Sequence, residues 1–121
     1  MSFSFPSLSP SQFETISADL IGRVIGVRFE QFGAGPDGGM DGRHAKGPDL
    51  TILQAKNYEG SGFSQLTRVL RKERVTIDKL VPNRYILSTS VSMTPTKKTQ
   101  LMEIIGPSLL EPGDIYGKED I

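Results

Sequence analysis

Leu50-Thr51-Ile52-Leu53-Gln54-Ala55-Lys56 is an apolar run that ends in an amide, a small residue and an amine. In a strand, side chains alternate faces, so Leu50, Ile52, Gln54 and Lys56 point one way and Thr51, Leu53 and Ala55 the other. Gln54 and Lys56 then share a face, roughly 7 Å apart at ~3.3 Å per residue. Lys56 stands in line with Leu50 and Ile52, on a face that should be partly buried. An ammonium is costly there unless it has a partner or a task.

Upstream lies a glycine-rich turn, Gly35-Pro36-Asp37-Gly38-Gly39-Met40-Asp41-Gly42. If residues 38–44 pair alongside the 50–56 strand, Asp41 joins Gln54 and Lys56 at one strand end. Asp37 competes with it; Asp41 follows an apolar Met at the entrance to a strand, while Asp37 sits deeper in the turn. An aspartate among glycines is also ordinary turn chemistry. Two oxygens and an ammonium on one face suit metal-assisted hydrolysis of a phosphodiester. The oxygens hold a divalent ion, which activates a water and offsets phosphate charge, and the lysine orients or deprotonates that water.

Asp41, a gap of 12 residues and Gln54-x-Lys56 together resemble the PD-(D/E)xK nuclease signature. The wording Phe32-Gly33-Ala34-Gly35-Pro36-Asp37-Gly38-Gly39-Met40-Asp41-Gly42, then Gln54-Ala55-Lys56-Asn57-Tyr58, is similar to the Mrr-like restriction endonuclease branch, where glutamine replaces the acid before the lysine. The resemblance covers roughly residues 9–90. It implies an α/β restriction-endonuclease-like fold, a small mixed sheet flanked by helices. It also implies metal-dependent cleavage of double-stranded DNA, with Mg²⁺ or Mn²⁺ bound by Asp41, Gln54 and the Ala55 carbonyl while Lys56 handles the attacking water.

Gln54 departs from the wider superfamily, where a carboxylate stands. An amide oxygen can ligate a hard cation but brings no charge, so a compensating carboxylate is expected. Glu14 is the candidate. At 100° per residue it falls between Ile21 and Ile25, inside an apolar arc. In the wider superfamily a first-helix acid can serve as an auxiliary metal ligand. The alternative is a capping box, Ser11-x-x-Glu14; if Ser9 caps with Pro10 in the first turn, Gln12 takes that role instead.

The chain has 121 residues, enough for one domain with one modest core. It is 36% hydrophobic and 23% charged, an ordinary globular composition. No run is apolar enough to span a membrane, and Met-Ser-Phe-Ser-Phe-Pro lacks the pattern of a signal peptide. The absence of cysteine excludes disulfides, thiolate zinc sites and thiol catalysis, and fits a reducing cytoplasm. The glycine run has neither the spacing of a phosphate-binding G-x-x-x-x-G-K-[ST] loop nor a G-x-G-x-x-G that opens a helix. His44, the only histidine, reads as a solvated loop residue.

Charge sums to zero but is unevenly spread. Residues 1–60 hold five basic and seven acidic side chains, residues 61–98 eight and two, and residues 99–121 one and five. The middle third is the footprint for a polyanion, with Arg68, Lys72 and Lys79 on the outer side of a helix and spaced to follow a phosphate backbone. Solvation of helix faces is the plain alternative.

The pattern predicts the order α-β-β-β-α-β-α. A first helix runs to about Ile25, with Phe13, Ile16, Leu20 and Val24 at helical spacing and Gly26 ending it. Val27–Phe32 is a first strand, the turn and Met40–Arg43 lead to a second, and Leu50–Lys56 is the third. A long helix opens at Ser61 and reaches about Leu80, with Pro82-Asn83 breaking it. Tyr85–Thr89 is a fourth strand, and Thr94-Pro95 caps a last helix that ends at Gly106-Pro107.

The domain is expected to occupy residues 1–110, with 111–121 starting a linker or next element of a longer protein. The tail Glu111-Pro-Gly-Asp-Ile-Tyr-Gly-Lys-Glu-Asp-Ile121 is similar to the segment after Mrr-like nuclease domains that head bacterial antiphage STAND-class NTPases. That resemblance implies a nuclease effector that works as a homo-oligomer of the full-length protein. The other reading is the same fold kept as a nucleic-acid-binding or self-association module with weak chemistry.

Overall fold

Helix α1 (Pro10–Ile25) starts from Ser9, whose hydroxyl accepts from the Gln12 backbone N–H at 3.1 Å while the Gln12 side chain accepts from the Ser9 N–H at 2.8 Å. This reciprocal cap satisfies two orphan donors, and it leaves Glu14 outside the capping box. The helix stops at Gly26, which takes the left-handed φ of 76° open to glycine at little cost. In the computed structural model, residues 9–31, 42–46, 49–57 and 62–120 are described.

Among the described residues, five strands form one mixed sheet in the order β1-β2-β3-β4-β5: β1 Glu30–Gln31, β2 Gly42–Lys46, β3 Asp49–Lys56, β4 Arg84–Thr89 and β5 Ile115–Tyr116. The β1/β2 and β2/β3 pairs are antiparallel, β3/β4 and β4/β5 parallel. Helices α2 (Phe63–Leu80) and α3 (Pro95–Ile105) lie in the connections between the parallel strands. Such connections are what parallel neighbours require.

Two strands differ from the sequence expectation. Within Val27–Gln31, only Glu30–Gln31 join the ladder; Phe29 is buried against Ala18 and Ile21 of α1, so that apolar stretch serves core packing. The second strand takes in Arg43 and reaches Lys46, pairing Arg43 with Ile52, His44 with Thr51 and Lys46 with Asp49. Its polar Gly-Arg-His-Ala-Lys composition carries no apolar alternation to find it by.

The sheet buries both faces, as parallel sheets do. Ile52, Tyr85, Leu87 and Ile115 pack with Leu66, Leu70 and Ile77 of α2 and Leu101 and Ile105 of α3. Leu53 and Ile86 pack on the other face with Ala18 and Ile21 of α1. The alternation read from residues 50–56 therefore decides which helix each β3 residue meets.

Beyond α3 the chain returns to the sheet. Pro112–Asp114 forms a 3-10 turn, β5 pairs with β4 through Leu87–Ile115 and Ser88–Tyr116, and Ile115 is buried. The segment expected to start a linker or next element thus adds β5 beside β4, through residue 116. Among the described residues no helix is long and apolar enough to cross a membrane.

Candidate active site

Gln54 and Lys56 rise from the C-terminal half of β3 on the face that carries Ile52, toward α2. Gln54 is 4% exposed, and its side-chain oxygen has no hydrogen-bond partner among the described residues. A buried acceptor left unmatched costs free energy that native structures seldom leave uncompensated. An oxygen so placed suits a bound cation. Its strand neighbour across the parallel ladder is Leu87, which offers it nothing polar.

Two residues on, the Lys56 ammonium meets the Glu73 carboxylate of α2 at 2.7 Å, with both side chains less than a fifth exposed. The lysine expected to need a partner or a task has a partner. Sequence reasoning missed Glu73. Its signal was there: Glu73 is seven residues after Leu66, three after Leu70 and four before Ile77, all buried. An acid in the middle of an apolar stripe asks for an explanation, by the logic applied above to Glu14.

Asp41 and its competitor Asp37 lie outside the described residues. Gly42, which follows Asp41 in the chain, faces Leu53, the residue before Gln54, across the β2/β3 ladder. A side chain at position 42 would crowd Phe29 and Leu53: an added Cβ would stand 3.3 and 3.4 Å from their Cβ atoms. Glycine is the residue that lets β2 approach here.

Glu14 is half-buried near the start of α1. Ser17, one turn on, shares a 2.8 Å hydroxyl contact with Ser88 of β4, while Ala18 and Ile21 sit over Leu53 and Ile86. Helix α1 therefore runs opposite to β3, and its first turns lie toward the C-terminal end of that strand. Glu14 approaches that sheet end from the α1 side, and Gln54 and Lys56 project on the α2 side. Ala55 points to the α1 side with Ser88 beside it in the ladder.

Among the described residues no group of three or more His, Asp or Glu side chains is gathered tightly enough to hold a metal. The donors that fit one are the Gln54 amide oxygen and backbone carbonyls, oxygen ligands of the kind hard cations take. His44 is spoken for: its Nδ1 lies 3.2 Å from the Arg28 carbonyl, tying β2 to the chain before β1.

Arg68, Lys72 and Lys79 are all exposed on α2. At 100° per residue they fall within a narrow arc opposite Leu66, Leu70 and Ile77. No ion pair holds them among the described residues, whereas Arg74 pairs with Asp78, Arg84 with Asp114 and Lys98 with Asp120.

A protein of Sinorhizobium fredii called Uncharacterized protein y4cD is 58% identical over all 121 residues, and the chain spans 19% of that relative's length. No solved structure matches the chain. The family model described as a restriction endonuclease catalytic domain of the Mrr type matches residues 5–95. With its mixed sheet between helices and the β3 ending in Gln54-Ala55-Lys56, the chain belongs to the Mrr-like restriction endonuclease family.

Proposed function

We propose that this domain hydrolyses phosphodiesters of double-stranded DNA with the help of a divalent cation, Mg²⁺ or Mn²⁺. The observation that carries the reading is the buried Gln54 oxygen, unmatched among the described residues, two residues from a Lys56 ammonium on one strand face. Asp41, Gln54 and the Ala55 carbonyl are the proposed cation ligands, and Glu14 assists from α1. The cation would supply Lewis acidity and a more acidic water. Lys56 positions that water, and Arg68, Lys72 and Lys79 hold the duplex by its phosphates.

The chain's coverage of only 19% of its relative supports a place within a longer protein, and we read that place as its head. Net charge is zero and position 54 brings no charge to the metal, so DNA and cation are both held weakly by one copy. Clustering copies on one duplex raises effective concentration without any new contact. The full protein is therefore read as a cytoplasmic antiphage effector, switched on by self-association through a STAND-class NTPase module.

Supercoiled plasmid, incubated with the protein and Mg²⁺ or Mn²⁺, tests the chemistry. Nicking is expected with metal and not with EDTA. Lys56→Ala and Asp41→Ala are each expected to lower it by on the order of 10²-fold or more. Nicking that survives in both variants would overturn the assignment.

A further inference from the structure

Position 54 is where the site lacks a charge, and the α2 helix brings one. Glu73 reaches across from α2 to Lys56 at 2.7 Å, and both groups are largely shielded from water. Its charge is not there to lace its own helix, because positions three and four residues away are Val69, Leu70, Thr76 and Ile77. Nor is a half-buried ion pair a cheap way to hold two layers together. Replacing such a pair by apolar side chains is often neutral or stabilising, so its presence is weak evidence for a stability role.

The charge inventory points the same way. On the α2 side of β3, Gln54 brings no charge and Lys56 a positive one, so a divalent cation would meet no attraction from those two side chains. Glu73 offsets Lys56 there and is the carboxylate on that side. The neighbouring Gln54 oxygen, buried and unmatched, supplies a neutral ligand on the same sheet face. We propose that Glu73 is the carboxylate this site lacks on β3: it holds Lys56 in position and contributes the negative charge through which a divalent cation is bound. The inference rests on the nuclease reading above and adds to it a residue from α2.

Mn²⁺ binding, read from the electron paramagnetic resonance of the free ion, tests this without reference to cleavage. The wild-type chain is compared with Glu73→Gln and with Gln54→Glu/Glu73→Gln. Glu73→Gln is expected to weaken Mn²⁺ binding about tenfold or more, in the range seen when groups around a metal's ligands are lost. The double variant, with a carboxylate returned to β3, should recover most of that loss.

Lys56→Met and Lys56→Met/Glu73→Gln form a second comparison that leaves no buried ammonium without its carboxylate. It applies should Glu73→Gln fail to fold, as judged by its melting transition. Lys56→Met is expected to keep Mn²⁺ affinity and the double variant to lose it by about tenfold. Equal affinity within either comparison would show that Glu73 is only a structural partner of Lys56. Wild-type chain that takes up no Mn²⁺ would instead overturn the metal-dependent reading itself.

Discussion

Arg84 of β4 grips Asp114 through two parallel hydrogen bonds, Nη2 to Oδ1 at 2.7 Å and Nε to Oδ2 at 3.0 Å. The carboxylate is 1% exposed, so the fork is what satisfies it, and the same contact raises the Arg84 pKa above its ordinary value. A planar bidentate pair of this kind fixes geometry as well as charge. It pins the 3-10 turn that delivers β5 to the edge of β4.

Arg84→Met therefore leaves a buried carboxylate unpaired. Losing one partner of a fully buried pair costs about 3–5 kcal/mol; because Arg84 is itself about a third exposed, a loss nearer ~2 kcal/mol is expected. Urea denaturation gives the number. A stability loss below ~0.5 kcal/mol would mean that the 111–120 segment is dispensable to the fold.

Ser17 and Ser88 make a buried hydroxyl pair between α1 and β4 at 2.8 Å. Removing one hydroxyl strands the other, at about 1–3 kcal/mol, while removing both costs little. Ser17→Ala and Ser88→Ala are thus expected to destabilise singly, and the double variant to be closer to wild type than either. Additive losses in a double-mutant cycle would show that the hydroxyls do not depend on each other.

Much of this arrangement was legible in residues 50–56, because alternation in a fully buried strand assigns each side chain to a layer. Ile52 went to α2 and Leu53 to α1, as their parity requires. Ser9, Thr94 and Gly26 marked helix ends because each satisfies a specific backbone group. What stayed illegible depended on partners distant in sequence. Arg43 and His44 are strand residues because Ile52 and Thr51 lie opposite them. Ile115 is buried because Leu87 lies beside it. The Lys56–Glu73 contact joins two positions whose sequence patterns say only that each charge is oddly placed.

Glu119 ties the last 3-10 turn to the loop before α3: its carboxylate accepts from the Ser92 hydroxyl and from the Met93 backbone N–H. The Ser92 hydrogen bond first, and then the Met93 one, hold its pKa below the ordinary glutamate value. A depressed carboxylate adds stability that is fully present above the unfolded-state pKa and is lost as pH falls through the folded-state value. The tail contact should accordingly weaken at acid pH, as pH falls past the ordinary glutamate range. A carboxyl titration by NMR is expected to show Glu119 titrating lower than a free glutamate, and Ser92→Ala raising it. An unchanged midpoint in Ser92→Ala would refute the contact.

Val81 closes α2 with φ 47° and ψ 55°, a left-handed conformation that a β-branched residue enters at a cost. It is 75% exposed, so its side chain gives little back by burial. Val81→Asn keeps the conformation with less strain and is expected to stabilise the domain by about 0.5–1 kcal/mol in thermal or urea unfolding. A destabilised Val81→Asn variant would mean that the exposed valine packs in solution.

The outer face of α2 carries the last prediction. Arg68, Lys72 and Lys79 are exposed and uncommitted to ion pairs among the described residues, on the side of the helix away from the core. If they contact phosphates, each one engaged releases condensed counterions from the duplex. The logarithm of the affinity then falls with the logarithm of salt concentration at a slope near −0.9 per phosphate neutralised. Arg68→Ala with Lys72→Ala should flatten that slope by about one to two, with little dependence on DNA sequence. Both side chains are solvent-exposed, so the folded fraction should be unaffected and the change attributable to binding. Duplex titrations at several salt concentrations decide it. The same slope in the double variant would move the DNA contact to another face of the domain, and no binding at low salt by the folded wild type would favour the self-association module over the nuclease.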